Sequence, residues 1–240
     1  LSLSACPPGG KDADDTGAEA DTGTKVGTWW LTVSAGLEHN CGVKNDGSVT
    51  CWGYDDYGQV GGTASGSLEG VSAGGFHTCG VTSSGSVDCW GNDDEGQSTP
   101  PSGSFQNVSA GRDHTCGVKS DSSVECWGGN STGQSSSPST TFDSVHAARY
   151  FTCGTRNGGV ECWGVNDGSG EDYGQVSDAP SSTFQSVSAG GGHACGVTSN
   201  DTVECWGKEA YGQSSPPSGT FRSVSAAGDH TCGVTTSHGP

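Results

Sequence analysis

The sequence predicts an all-β protein of the β-propeller class, on three observations. A unit of about 37 residues recurs six times. Each unit holds short runs rich in Val, Thr, Phe and Trp, bounded by Gly, Asn, Asp and Ser, which is typical of strands. The 43 glycines and the apolar share of 30% argue against helices and leave each unit too little apolar mass to bury a face alone. Such units must stack on their neighbours, and a ring of stacked sheets is a β-propeller. A linear β-solenoid is the alternative, but its repeats are usually shorter.

Each unit starts with Val-Ser-Ala-Gly or a degenerate copy of it, and a large apolar residue stands three positions earlier. A cysteine follows eight residues after the valine, and a Cys-Trp-Gly segment follows nine or ten residues later in five units. A Gly-Gln pair closes these five units. The sixth unit reaches Cys232 but has no Cys-Trp-Gly segment, so we predict an incomplete last blade. Three completions stay open: further sequence, residues 24–31, or pairing with another molecule.

The paired cysteines predict the strand register. Placing Cys116 opposite Cys126 sets Val118 opposite Val124 on the same face of a hairpin. The fourth unit is one residue shorter between its cysteines and has Asn157-Gly158 at the turn, a strong hairpin signal.

Facing cysteines on hairpins predict disulfides. Each would close a loop of about ten residues and contribute about 2–3 kcal/mol. The predicted bonds are Cys41–Cys51, Cys79–Cys89, Cys116–Cys126, Cys153–Cys162 and Cys195–Cys205. The alternative is metal binding, because His-x-Cys recurs in five units, but the Cys-x2–4-Cys spacing of structural zinc sites is missing. We therefore predict no metal, no cofactor and an oxidising compartment.

The pattern Val-Ser-Ala-Gly-x-x-His-Thr-Cys-Gly-Val, followed by Gly-Ser-Val-x-Cys-Trp-Gly and Gly-Gln, resembles the repeat of the regulator of chromosome condensation (RCC1). The short period and paired cysteines are most similar to a bacterial, cysteine-containing branch, and more distantly to β-lactamase inhibitor protein II. The resemblance covers residues 29–240 and implies a propeller, commonly of seven blades. The family's eukaryotic founder exchanges nucleotides on a small GTPase and binds chromatin, whereas this chain is acidic and lacks basic tails.

The net charge excludes some partners. Nine Lys and Arg against 27 Asp and Glu give a formal charge of −18. Nucleic acids and anionic membrane surfaces attract basic patches, so neither is an expected partner. No apolar run reaches the ~18 residues of a membrane span.

The first 28 residues read as an acidic Gly/Thr/Asp tether rather than as part of the propeller. Leu3-Ser4-Ala5-Cys6 resembles a bacterial lipobox, in which the cysteine is lipidated after removal of a signal peptide. The alternative is a closing disulfide between Cys6 and Cys232, and the two are mutually exclusive.

The fourth unit departs most from the repeat. Arg149, Tyr150 and Phe151 stand where other units have two variable residues and His, and His146 stands where they have Ser. The unit also carries the only long loop, with Glu171, Asp172 and Tyr173. We predict partner binding at these residues. We interpret the repeated His and Trp residues of the other units as packing contacts between blades. We interpret the acidic loops as solvated turns rather than calcium sites.

No catalytic motif occurs, so we predict a protein without enzymatic activity. The predicted function is a cell-surface or secreted bacterial module that binds a protein or a glycan, with membrane contact only through a lipid on Cys6. The alternatives are a structural protein that oligomerises through its open last blade, and a binder of the enzyme-inhibitor type.

Overall fold

A computed structural model describes residues 27–62 and 64–236 of the chain. The regular secondary structure of these residues consists of strands joined by turns. Among them there is no helix long and apolar enough to cross a membrane. The strands are β1 (Trp30–Ala35), β2 (His39–Lys44), β3 (Val49–Gly53), β4 (Leu68–Ala73), β5 (His77–Thr82), β6 (Val87–Gly91), β7 (Phe105–Ala110), β8 (His114–Lys119), β9 (Val124–Gly128), β10 (Ser144–Ala147), β11 (Phe151–Arg156), β12 (Gly159–Gly164), β13 (Phe184–Ala189), β14 (His193–Thr198), β15 (Val203–Gly207), β16 (Phe221–Ala226) and β17 (Thr231–Thr235).

The strands form six antiparallel sheets in chain order. Five sheets have three strands, from β1-β2-β3 to β13-β14-β15, and the sixth contains β16 and β17 among the described residues. Substantial contacts join consecutive sheets, and the first strands of neighbouring sheets touch one another. The first strands therefore lie toward a common axis. The sheets are consecutive blades of a β-propeller, which confirms the predicted fold class.

The predicted register and disulfides are confirmed. Cys116 lies opposite Cys126 and Val118 opposite Val124. In the fourth sheet the turn at Asn157 and Gly158 has positive φ at both residues, as a two-residue hairpin turn requires. All five predicted cysteine pairs are bonded.

In each sheet a bulky side chain from the first strand, or from just before it, lies across a glycine of the second strand. A Cβ added at Gly117 would meet the Phe105 ring at 2.6 Å. The Phe105 ring in turn contacts Trp127 of the third strand, with ring centroids 5.9 Å apart. This layer of Phe, Gly and Trp explains why the sequence repeats Cys-Gly-Val and Cys-Trp-Gly together.

Two side-chain hydrogen bonds join consecutive sheets. His77 Nε2 lies 2.8 Å from Thr115 Oγ1 of the next sheet. Ser72 Oγ accepts a 2.9 Å bond from the backbone N–H of Ala110. The His bond recurs at His39–Thr78, His114–Thr152 and His193–Thr231. The repeated histidine therefore belongs to the packing between blades, as predicted.

The boundary between the fourth and fifth sheets lacks both of these bonds, and two other residue pairs take their place. Phe151 takes the histidine position, and the partner position on the fifth sheet is Ala194 instead of Thr, so that both are apolar and buried in one cluster. His146 takes the serine position, and its Nδ1 accepts a 3.2 Å bond from Ala189 N–H. Burial lowers the pKa of His146 to about 4, which keeps the ring neutral and able to accept.

The first sheet has an uncovered side. Val33 is 57% exposed, whereas Val145 at the same repeat position is 8% exposed. Trp29 exchanges hydrogen bonds with Asn45 of the same sheet, at 3.0 and 2.9 Å. Residues 29–31 thus belong to the first sheet and its border, so the alternative in which residues 24–31 complete the sixth sheet is wrong for them. Residues 24–26, like Cys6, lie outside the described residues.

Candidate partner-binding face

Two loops from each complete sheet meet at the same end of the propeller. One loop joins the first and second strands, and the other follows the third strand. Their backbones are bonded together, since Tyr54 N–H donates to Glu38 O and Val165 N–H donates to Tyr150 O, both at 3.0 Å. All 5 tyrosines of the sequence lie in these loops, and we call this end the tyrosine face. The tyrosines are Tyr54, Tyr57, Tyr150, Tyr173 and Tyr211.

An aromatic cluster lies where the first and second sheets meet on the tyrosine face. Tyr57 and Phe76 have ring centroids 5.2 Å apart, and Tyr54 and Phe76 6.3 Å apart. Tyr57 is 46% exposed. The Tyr54 hydroxyl donates to Asp56 at 2.8 Å, and this bond raises the pKa of Tyr54. The cluster offers partly exposed rings held by contacts between two sheets.

A second cluster joins the third and fourth sheets. The Arg112 guanidinium donates to the Tyr150 hydroxyl at 3.0 Å, and its centre lies 5.9 Å from the ring centroid. The Arg149 guanidinium lies 4.8 Å from the same ring. Two cations thus flank one half-buried tyrosine, and Arg112 is also ion-paired with Asp113 at 3.4 Å.

A third cluster surrounds Lys208 of the fifth sheet. Its Nζ lies 5.4 Å from the Tyr173 ring and 5.3 Å from the Tyr211 ring. It also donates to Asp229 of the sixth sheet at 2.9 Å, and this bond raises the pKa of Lys208. Tyr211 is 73% exposed. The lysine therefore stays charged and positions two rings from different loops.

The acidic residues of these loops close the loops themselves. Asp55 accepts the N–H of Val60 at 2.7 Å, Asp93 that of Ser98 at 2.8 Å, and Glu209 that of Ser214 at 2.7 Å. In the described part of the chain, no three His, Cys, Asp or Glu side chains come together as a metal site. The first acid of each of these loops is thus a structural acceptor five residues before its donor.

The glutamine of each Gly-Gln pair has two structural roles. The Gln97 side-chain carbonyl accepts the N–H of Glu95 at 2.9 Å and shapes the turn. Its backbone carbonyl accepts from Trp127 Nε1 at 2.9 Å and from Thr115 Oγ1 at 3.1 Å, both of the next sheet. The predicted packing role of the repeated tryptophan is confirmed by this bond.

The structure separates the residues predicted to bind a partner. Arg149 and Tyr150 share one cluster, whereas Tyr173 belongs to the Lys208 cluster. Glu171 is exposed on the same face, and Asp172 is partly buried and accepts the N–H of Gly168 at 2.9 Å within its loop.

Phe151 corrects the prediction. Its side chain is 0% exposed because it replaces a buried histidine between sheets, so it offers no surface to a partner.

Sequence reasoning missed several residues of this face, which are Tyr54, Tyr57, Phe76, Arg112, Lys208 and Tyr211. One signal was available, because every tyrosine falls between a strand end and a Gly-Gln pair or directly before the His position. The pairing of rings with cations from neighbouring sheets needed the structure.

Comparison with known proteins agrees with the repeat geometry. A family model described as "Regulator of chromosome condensation (RCC1) repeat" matches residues 31–59, 69–97, 105–134 and 184–213. The chain is an RCC1-repeat protein. Two units of this RCC1-repeat protein lie outside these matches: the fourth, which carries His146 and Phe151, and the sixth, which begins at Phe221.

Solved structures show the same fold. The CRINKLY ectodomain of the Arabidopsis thaliana receptor kinase ACR4 is 27% identical, with a TM-score of 0.71, over 88% of this chain and 76% of that one. The ectodomain of the Physcomitrella patens receptor kinase CR4 is 25% identical, with a TM-score of 0.70, over 85% of this chain. The RCC1-repeat chain spans 58% of the length of that moss ectodomain.

Yeast RCC1 (Prp20), solved bound to Kap60, is 14% identical with a TM-score of 0.71, over 86% of this chain and 68% of that one. At this identity the similarity shows the fold alone. A search of curated proteins returned no match.

Proposed function

We propose that this RCC1-repeat protein is a protein-binding module and that the tyrosine face is its binding surface. The observation that carries the proposal is the position of all 5 tyrosines at one end of the propeller, in clusters with Arg112, Arg149 and Lys208. Tyr and Arg are enriched at protein interfaces and among the residues that dominate binding energy.

The face is held rigid before any partner arrives. Arg112 N–H donates to Ala148 O of the next sheet at 3.0 Å, and Leu37 N–H donates to Gly74 O in the same way. Loops bonded across sheets lose little conformational entropy on binding, which favours affinity. Rings positioned by cations also keep their rotamers.

The charge distribution supports a partner with mixed polarity. The chain carries −18 overall, and three of its nine cations lie on this face among the acidic residues of the same loops. A partner with a few carboxylates near apolar groups would meet Arg112, Arg149 and the rings together. Exposed acids of the same loops, such as Asp56, Asp94 and Glu95, would attract the basic groups of such a partner.

An extracytoplasmic setting is part of the proposal. Five disulfides favour an oxidising compartment. The two plant proteins above, at 25% and 27% identity, are ectodomains by their descriptions. A bacterial origin, a signal peptide and a lipid on Cys6 stay predictions, which an intact mass of the natural protein would test.

Glycan binding is the second candidate, and Tyr211 is the observation that favours it. Its ring is 73% exposed and belongs to the same loop as Glu209. Exposed rings beside carboxylates suit stacking and hydrogen bonding with sugars. Oligomerisation through the sixth sheet and enzyme inhibition remain further alternatives.

The test is affinity capture with the purified chain as bait, using extracts of its source organism. Three baits are compared: wild type, a face variant with Tyr57→Ala, Arg112→Ala and Tyr150→Ala, and a control with Lys44→Ala, Lys119→Ala and Arg156→Ala. The control residues lie at the opposite ends of the sheets, at the hairpins between second and third strands. Proteins retained by wild type and control but lost by the face variant would support the proposal.

Two results would contradict it. Retention of the same proteins by all three baits would exclude the tyrosine face as the binding surface. A glycan array bound through Tyr211, with no protein retained, would favour the second candidate instead.

A further inference from the structure

Two of the three clusters on the tyrosine face hold a cation of the chain itself. Arg112 and Arg149 lie on Tyr150 in one cluster, and Lys208 contacts two tyrosine rings in the other. Within the residues that the structure describes, no Lys or Arg side chain lies over a ring of the remaining cluster, which we call the first cluster. The first cluster consists of Tyr54, Tyr57 and Phe76.

The surroundings of Lys208 show which ligand the rings of this face can hold. Its Nζ atom lies 5.4 Å from the Tyr173 ring centroid and 5.3 Å from that of Tyr211. The same atom donates to a carboxylate oxygen of Asp229 at 2.9 Å. A tyrosine ring attracts a cation through its negative face, and the carboxylate adds an ion pair. A primary ammonium group is therefore held here by tyrosine rings together with one acid.

The first cluster keeps part of this arrangement at the same repeat positions. Tyr57 and Tyr211 both stand directly before a Gly-Gln pair. Tyr54 and Lys208 both stand directly after a Cys-Trp-Gly segment. The first cluster thus has the tyrosine that contacts the lysine in the fifth unit, but it has a second ring where the lysine would stand.

Carboxylates surround the rings of the first cluster. Glu38, Asp55 and Asp56 are exposed, and none of the ion pairs among the described residues includes them. Asp56 is held at the rings, because it accepts the Tyr54 hydroxyl at 2.8 Å. The backbone carbonyl of Glu38 accepts the N–H of Tyr54 at 3.0 Å. The first cluster therefore combines aromatic rings with acids that have no cationic partner in the described part of the chain.

We propose that the first cluster binds a lysine side chain of the partner protein, with the ammonium group against the Tyr57 ring and paired with Asp56. The inference rests on the tyrosine face being the binding surface, and it specifies the chemistry of one anchor on the partner. Tyr57 is 46% exposed, so its ring is available to a ligand. Its contact with Phe76, at a centroid distance of 5.2 Å, fixes the ring before the lysine arrives.

The test is a nuclear magnetic resonance titration of the isotope-labelled whole chain with Nα-acetyl-L-lysine methylamide. We expect saturable shifts of the backbone amide signals of Tyr54, Tyr57 and Phe76. The norleucine analogue has a side chain of similar length without the ammonium group, and it should bind about fivefold more weakly or less. Raising the salt concentration should weaken binding of the lysine compound, because the carboxylates at the cluster are exposed.

Two variants separate the contributions of the carboxylate and the ring. Asp56→Asn keeps an oxygen acceptor for the Tyr54 hydroxyl but removes the charge. Tyr57→Leu keeps an apolar contact with Phe76 but removes the aromatic face. Each variant should bind the lysine compound about threefold more weakly than wild type. Normal melting temperatures would show that both variants are folded.

Two control variants change similar residues of the first sheet away from the cluster. Asp46→Asn removes an exposed charge at the hairpin between β2 and β3, where Asp46 accepts the N–H of Ser48 at 2.9 Å. Trp30→Leu removes a ring that is 45% exposed, close to the 46% of Tyr57. Trp30 pairs with Lys44, next to the same hairpin. Both control variants should bind the lysine compound as wild type does.

Three outcomes would overturn the proposal. Equal affinity for the lysine and norleucine compounds would show that the cluster is an apolar contact. Tighter binding of the trimethyllysine analogue would assign the site to a quaternary ammonium group instead. Unchanged binding in both cluster variants would place the lysine site elsewhere.

The lysine inference and the proposed function fail separately. If the face variant loses captured proteins but the lysine compound shifts no signal of the first cluster, the tyrosine face stands as a binding surface and the lysine inference is wrong. If the lysine compound binds at the first cluster but the face variant retains every captured protein, the ammonium site stands and the proposed function is wrong.

Discussion

The Nε2 atom of His114 lies 2.8 Å from Oγ1 of Thr152 on the next sheet, and both side chains are buried. Thr152 Oγ1 in turn donates to the backbone carbonyl of Gln134 at 3.1 Å. Because this hydroxyl proton goes to Gln134, the threonine oxygen accepts from the imidazole Nε2–H. Among the described residues the buried Nδ1 atom has no hydrogen-bond partner, so a charged ring would bury an unsatisfied N–H there. The neutral ring is thus the form that the blade interface holds.

Lowering the pH should destabilise the packing between sheets, because these buried histidines are held in their neutral form. Burial lowers the pKa of His77 and His193 to about 4 and that of His114 to about 3, from 6.5. The unfolded chain therefore binds more protons below pH 6.5, and the free energy of unfolding should fall as the pH drops from about 6.5 toward 4. Denaturant unfolding at pH 7, 6, 5.5 and 5 measures this loss, since carboxylates titrate mainly below that range.

The fourth and fifth sheets provide a control for this effect. The double variant His77→Phe with Thr115→Ala copies the natural pair Phe151 and Ala194. It removes one buried imidazole, so stability should fall less between pH 6.5 and 5 than in wild type. An unchanged pH dependence would mean that this histidine is not buried in its neutral form.

Removing one disulfide should cost stability without changing the fold. The pair Cys116→Ala and Cys126→Ala opens a loop of sequence separation 10, and the chain-entropy model gives about 2–3 kcal/mol for such a loop. Urea unfolding of the double variant measures this loss. The same change at Cys153 and Cys162 should cost a similar amount, and no loss in either variant would contradict the model.

Glycine at position 117 should resist substitution. An alanine Cβ there would lie 2.6 Å from the Phe105 ring, so Gly117→Ala should destabilise the protein by about 1–3 kcal/mol through overpacking. Gly70→Ala is the matched control in a neighbouring sheet, because nothing lies within 4 Å of its added Cβ. Equal melting temperatures for the two variants would count against the packing account.

The indole N–H of Trp127 should contribute measurably to the blade interface. Trp127→Phe keeps an aromatic ring but removes the donor to Gln97 O, and we expect a loss of about 1–3 kcal/mol. Trp52→Phe serves for comparison, since Trp52 is 44% exposed and should cost well under half as much. Similar losses for the two variants would show that the inter-sheet bond is unimportant.

Substitutions of Phe151 and Tyr150, which are neighbours in the fourth unit, should affect different properties of the protein. Phe151→Ala empties a fully buried position and should cost about 3–5 kcal/mol of stability. Tyr150→Ala should change stability little, but it should weaken binding of any protein captured by the tyrosine face. Thermal melts and capture with equal amounts of folded protein separate the two. A Phe151→Ala variant that melts normally and loses its partner would reverse this assignment.

The sequence by itself determined the blades of this RCC1-repeat protein. The spacing of Cys116 and Cys126, the valines at 118 and 124, and the turn at 157–158 are local signals on a hairpin whose side chains alternate between faces. Register and disulfides follow from such local rules. The fold class follows because sheets this small must stack.

Only the tertiary structure decided which residues meet between sheets. Phe151 differs from the repeat and looked like a binding residue, but it is buried because its partner position is Ala194, forty-three residues away in sequence. Arg112 reaches Tyr150, and Lys208 reaches Tyr173, across sheet boundaries that local periodicity does not encode. Contacts between repeats depend on how neighbouring sheets are rotated and spaced. That geometry is set by the summed packing of every blade, so no single segment of sequence reveals it.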